Sequence, residues 1–199
     1  MSVGSTALVG AVDYAMQCLD RVRAADLNRP TPCSEWNLAA LLGHLRESLT
    51  TLSRLAGCTA PGCASPGGNA LRGTEDDWPV GASLSKIRIR LESLCGGVDP
   101  AHAYQIRGLG GLGLSRRAVA EVAALECAVH GWDIARSRDL GIDPPDPLAA
   151  DLLESAHRLA PAHIRRDLCA RPLTVPRDLS AANHLVAYLA RCAEGHPAR

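Results

Sequence analysis

Net charge is missing from this chain: 21 lysines and arginines face 21 aspartates and glutamates. That balance leaves no electrostatic footprint for nucleic acid or an anionic membrane, while small neutral or anionic ligands remain open. Phenylalanine is absent and Lys86 is the single lysine, a coding bias of the kind a high-GC genome imposes rather than a physical requirement. The first twenty residues lack a basic start, and Asp13 breaks their apolar stretch, so they match neither a signal peptide nor a membrane span. A cytoplasmic protein is expected. No clear period-two alternation marks a strand, and no internal repeat or low-complexity segment stands out. The glycine-rich stretch Arg107-Gly108-Leu109-Gly110-Gly111-Leu112-Gly113 lacks the Lys-Ser/Thr pair of a phosphate loop and any strand-helix-strand frame, and reads as a turn.

What is present is helix. With 199 residues, 47% of them hydrophobic, the chain can bury a sizeable core, and everything reads as one domain. Apolar residues at helical spacing predict a first helix over 5–25, carrying Leu8, Val12, Met16, Leu19 and Val22 inward. A second starts near Asn37, a suitable N-cap, and runs to Gly57 with Leu38, Leu41, Leu45, Leu49, Leu52 and Leu55 on its apolar face. A third covers 83–94 and a fourth 115–138. Shorter helices over 148–159 and 181–192 are expected to brace the bundle. The long Pro/Gly/Asp-rich connection over 59–80 reads as a crossover or as a cover for a pocket at the bundle end, with Trp78 or Arg72 touching substrate. Of the eight cysteines, Cys18, Cys95, Cys127 and Cys192 fall on helices and read as small buried hydrophobes, whereas Cys58 and Cys63 flank a loop where they can pair or bind metal.

The fourth helix carries the chemistry. In Glu126-Cys127-Ala128-Val129-His130-Gly131-Trp132-Asp133 the spacing sets Glu126, His130 and Asp133 on one stripe, among Val119, Val122, Ala123, Val129 and Ile134. A carboxylate on an inward face costs several kcal/mol unless an opposite charge meets it, and a divalent metal meets that need. Zinc takes imidazole and carboxylate ligands, and a catalytic zinc keeps three protein ligands and one open position. His44, at the edge of the second helix's apolar face, is the candidate third ligand. The same spacing also allows a plain side-chain pair, and a histidine among apolar neighbours also serves as a hydrogen-bonded core residue.

Together with Thr31-Pro32-Cys33-Ser34-Glu35-Trp36-Asn37, Leu41-Leu42-Gly43-His44-Leu45 and Leu185-Val186-Ala187-Tyr188-Leu189-Ala190-Arg191, these residues resemble the mycothiol-dependent maleylpyruvate isomerase family, within the DinB-like metal-binding bundles. The resemblance spans nearly the whole chain. It implies an all-α, up-down-down-up four-helix bundle, here over about 5–140, followed by bracing helices over about 147–193. It also implies one divalent metal, usually zinc, on His44, Glu126 and His130, and gives Asp133 a role in orienting a ligand or in helix packing rather than as a ligand itself. Several relatives use a low-molecular-weight thiol such as mycothiol. The family prototype carries a further C-terminal domain, so a short form is expected, without the substrate contacts which that domain makes. No residue identifies itself as an acid-binding arginine; Arg72, Arg88, Arg90 and Arg107 are available, most of them as solvated charges.

The expected function is a zinc-dependent thiol S-transferase or thiol-assisted isomerase acting on a small electrophile. The expected partners are a small-molecule substrate and a thiol, with no nucleic acid or membrane, in a monomer or homodimer. The competing readings are a noncatalytic metal- or ligand-binding bundle that senses or scaffolds, and a metal-free helical partner protein in which Glu126 and His130 pair with each other.

Overall fold

The computed structural model describes residues 3–33, 36–55, 80–97, 103–105, 113–159 and 171–190. Four helices make a bundle: α1 Val3–Leu19, α2 Leu38–Leu55, α3 Val80–Gly97 and α4 Arg116–Ser137. Each packs on two others, α1 on α3 and α4 and α2 on α3 and α4. Two shorter helices follow, α5 Asp146–Leu159 and α6 Ala181–Tyr188, with α5 against α1 and α4 and α6 against α5. Among the described residues no helix is long and apolar enough to cross a membrane.

The expected helices are present, with their ends moved. The first stops at Leu19, short of the expected 25, and continues as a 3-10 turn at Ala24–Asp26. Asp26 explains the break. Its carboxylate accepts from the Arg23 backbone N–H at 2.8 Å and pairs with Arg138 at the end of α4, which pulls the chain out of helical register. The third helix extends beyond the expected 83–94 at both ends, and α6 ends at Tyr188, where Ala190 takes a positive φ of 64°. Two short antiparallel strands, β1 Ala103–Gln105 and β2 Gly113–Ser115, pair Ala103 with Ser115 and Gln105 with Gly113. No period-two pattern predicts this strand pair, because three-residue strands are too short for alternation to register.

The start of α2 is pinned tightly. The Leu38 and Ala39 N–H groups donate to Arg29 O and Leu27 O, both at 2.9 Å, and Asn37 Oδ1 accepts from Ala40 N at 2.9 Å. Four helix-start donors would otherwise lack partners, so these bonds fix where the helix begins and how it is phased. Leu38, Leu41, Leu42, Leu45, Leu49 and Leu52 are then buried. His44 falls at the rim of that face, half-buried.

Helix α4 is the axis of the molecule. Ser115 caps its start by accepting from Ala118 N. From Val119 to Ala135 nearly every side chain is buried, the half-buried exceptions Val122, Leu125 and Glu126 sharing one side. It runs in the same direction as α1: Glu121 meets Ala7 around one cavity, and Gly131 meets Tyr14 and Ala15 further along. A Cβ on Gly131 would lie 3.0 Å from the Tyr14 ring and 3.3 Å from the Ala15 Cα, so glycine is what lets the two backbones approach. Glu121, buried, accepts from Arg117 at 2.8 Å and from Arg158 at 2.7 Å, which ties α5 to α4. The loop after α4 is drawn back by Asp143, which accepts from Trp132 Nε1 at 3.0 Å and Arg136 Nη2 at 2.6 Å.

Candidate metal centre

The pinned α2 and the buried α4 bring three side chains from distant parts of the chain together. His44, Glu126 and His130 each present a donor atom, and these atoms all lie within 4.8 Å of one another. His44 Nε2 is 3.7 Å and His130 Nε2 3.4 Å from the same carboxylate oxygen, Glu126 Oε2. The imidazoles of His44 and His130 stand edge to face, with centroids 5.0 Å apart.

Burial is graded across the group. The His130 side chain is 5% exposed, Glu126 29% and His44 38%. The site therefore has a closed wall on α4 and an open side towards α2. The Trp36 ring stands at that open side, 4.6 Å from the His44 ring centroid. Its position follows from the reversal before α2, where Pro30 bridges Asn37 and the Thr31 hydroxyl donates to Trp36 O at 2.8 Å. Trp36 belongs to the Thr31–Asn37 motif, but spacing alone carries no sign that its ring meets His44.

Asp133 fixes the orientation of His130. Fully buried, it holds His130 Nδ1 at 3.0 Å from its Oδ2. A carboxylate can only accept, so Nδ1 carries the proton and Nε2 is the nitrogen that faces Glu126 and His44. A carboxylate behind a histidine in this way sets the ring's tautomer and its basicity.

The charges are out of balance with their surroundings. Burial alone raises the Glu126 carboxyl, but the neighbouring imidazoles of His130 and His44 outweigh it and hold the group well below the usual carboxylate range. Burial likewise opposes charge on His130, yet Asp133 and Glu126 push it up to about 9. Glu126 Oε2 is nevertheless buried with no hydrogen-bond partner among the described residues, since its two imidazole contacts, at 3.4 and 3.7 Å, lack the alignment or approach of a hydrogen bond. A buried carboxylate oxygen without a hydrogen bond, set between two ring nitrogens, fits a shared cation: two nitrogens and one oxygen form a donor set that suits zinc.

The remaining sequence candidates divide. Trp78, Arg72 and Arg107 lie outside the described residues, as do Cys58, Cys63 and nearly all of the Arg107–Gly113 stretch. Arg90, expected among solvated charges, is buried at 8% exposure, because it lies on the inward face of α3 between Ile87 and Leu91. Arg88 pairs with Asp20. Cys18 and Cys127 are buried thiols outside any disulfide, and burial pushes Cys18 up to about 11, away from reactivity. Cys33 is free and half-buried.

Residues 9–135 match the family model of the mycothiol maleylpyruvate isomerase N-terminal domain. No curated protein and no solved structure matches the chain. The matched segment contains all of α2, α3 and the His44, Glu126, His130 and Asp133 side chains.

Proposed function

Because this chain belongs to the mycothiol maleylpyruvate isomerase N-terminal domain family, we propose that His44, Glu126 and His130 hold one divalent metal ion, zinc by their chemistry, in an enzyme that uses a small thiol such as mycothiol. The reaction is S-transfer to a small electrophile or thiol-assisted isomerisation of one. The observation that supports this most directly is Glu126 Oε2, buried without a hydrogen bond between two imidazole nitrogens.

An ion bound there supplies positive charge that lowers the pKa of a thiol or water placed on it, giving a nucleophile near neutral pH. The protein's own groups do the rest. Asp133 keeps the His130 proton on Nδ1, so that Nε2 is free to coordinate. Glu126 contributes the anionic oxygen and is held ionised by its neighbours. The buried α4 wall excludes water from behind, while the exposed edge of His44 leaves the approach from the α2 side open. The Trp36 ring offers that approach an apolar surface.

Metal analysis of protein purified without added metal, followed by assay of mycothiol conjugation to monobromobimane, tests the proposal. About one equivalent of zinc is expected, with conjugation that stops on chelation and in His44→Ala. Less than about a tenth of an equivalent of any transition metal, with no uptake on titration, overturns the ligand assignment. Stoichiometric metal without thiol conjugation assigns the chain instead to a noncatalytic metal-binding role.

A further inference from the structure

Ser48 lies one turn beyond His44 on α2, half-buried, with its Oγ 3.4 Å from His44 Nε2. Helical serine and threonine hydroxyls commonly turn back to the carbonyl four residues earlier. Thr50 does so, donating to Arg46 O at 2.7 Å. Ser48 aims instead at the ring nitrogen that also faces Glu126. A hydroxyl and a cation cannot both use that nitrogen's single lone pair. Whichever of the two groups donates in that contact, a nitrogen that coordinates has neither lone pair nor proton left for Ser48, so the hydroxyl beside it is released.

We propose that Ser48 is a positioning residue of this centre: with the ion in place, its hydroxyl donates a hydrogen bond to the sulfur of the incoming thiolate and fixes the direction of its approach. This rests on the metal reading above. It goes beyond that reading by assigning recognition of the visiting thiolate to α2, the helix on the open side. A hydrogen bond to a charged acceptor is the stronger kind, and neutral acceptors gain less from it.

The test uses the full chain loaded anaerobically with cobalt(II), whose visible absorption reports its coordination, and two probes titrated onto it: N-acetylcysteine and imidazole. A coordinated imidazole nitrogen has no lone pair left for Ser48, so the two probes separate hydrogen bonding from general disturbance. In Ser48→Ala, N-acetylcysteine affinity is expected to fall about tenfold while imidazole affinity stays within about twofold of wild type. Cobalt affinity should stay within about threefold. Equal losses for both probes, or an unchanged thiol affinity, overturn the proposal. A loss of cobalt affinity beyond about tenfold overturns it too, by making Ser48 a ligand of the ion. Failure of the wild-type chain to take up cobalt defeats the metal reading itself, an outcome distinct from cobalt uptake with indifferent thiol binding.

Discussion

Asp133 determines which nitrogen of His130 is available, and therefore the whole geometry of the centre. In the proposed centre its charge matters as well as its shape, because the carboxylate raises the basicity of the ring that would donate to the ion. In Asp133→Asn the side-chain oxygen can still accept from Nδ1, but the charge is lost and an amide NH2 competes for the position. Zinc affinity is expected to fall between about tenfold and a hundredfold, with helix content unchanged. A competition titration against a chromophoric chelator, alongside circular dichroism, measures both. Glu126, His130 and Asp133 could be read together because they share one helix and one spacing. His44 could be read only through the leucine pattern that surrounds it and the family-like order of the motifs. Ser48 stayed hidden, since a serine two-thirds of the way along an amphipathic helix looks like an ordinary solvated residue until the partner helix is placed. Trp36 stayed hidden too, because it reaches His44 through a chain reversal that no periodicity encodes.

At the level of elements, α4 shows where pattern reading works and where it falls short. Its bounds follow from Ser115 and Arg138 and agree with the expectation to within one residue. Its surroundings do not: the sequence places one stripe inward, whereas the helix is enclosed by α1, α2 and α5. A helix buried around most of its circumference, polar residues included, offers little directional signal, so only the fold reveals which neighbour lies where. Helix α1 fails the other way. Its apolar spacing continues to Val22, which is indeed buried, but the Asp26 contacts to Arg23 and Arg138 end the helix at Leu19. Gly131 is the sharpest test of the α1–α4 contact. On an exposed helix, Gly→Ala stabilises by about 1 kcal/mol. Here the added methyl meets a Tyr14 ring that cannot swing aside, since it is buried and its hydroxyl donates to Ile142 O at 3.2 Å. Overpacking of this kind costs about 1–3 kcal/mol and outweighs the propensity gain. Gly131→Ala is therefore expected to lower the urea midpoint of the metal-free protein, and a raised midpoint would show that α1 yields easily.

Across the whole molecule, the proposed centre would link stability to pH and to metal in opposite senses. The folded pKa of His130 is raised from 6.5 to about 9, so its charged form stabilises the metal-free fold fully below pH 6.5, and that contribution disappears as pH rises towards 9. Glu126 is depressed, so its contribution is present above its ordinary 4.5 and is lost as pH falls below that value. From these two groups, the metal-free protein is expected to be most stable between about pH 4.5 and 6.5. Metal binding demands the reverse at His130, because a protonated ring cannot coordinate, so affinity rises with pH over the range in which the apo fold weakens. Thermal melts with chelator and with saturating zinc should accordingly diverge from pH 6.5 to 8.5, the chelated midpoint falling while the zinc-bound midpoint holds. At zinc a thousandfold above Kd the gap corresponds to about 4 kcal/mol. His44→Ala should close most of that gap while leaving the chelated curve nearly unmoved, because His44 lies on the half-exposed side and little of the core rests on it. Parallel melts at every pH would mean that the imidazoles titrate without regard to zinc, and would separate the acid–base cluster from any metal function.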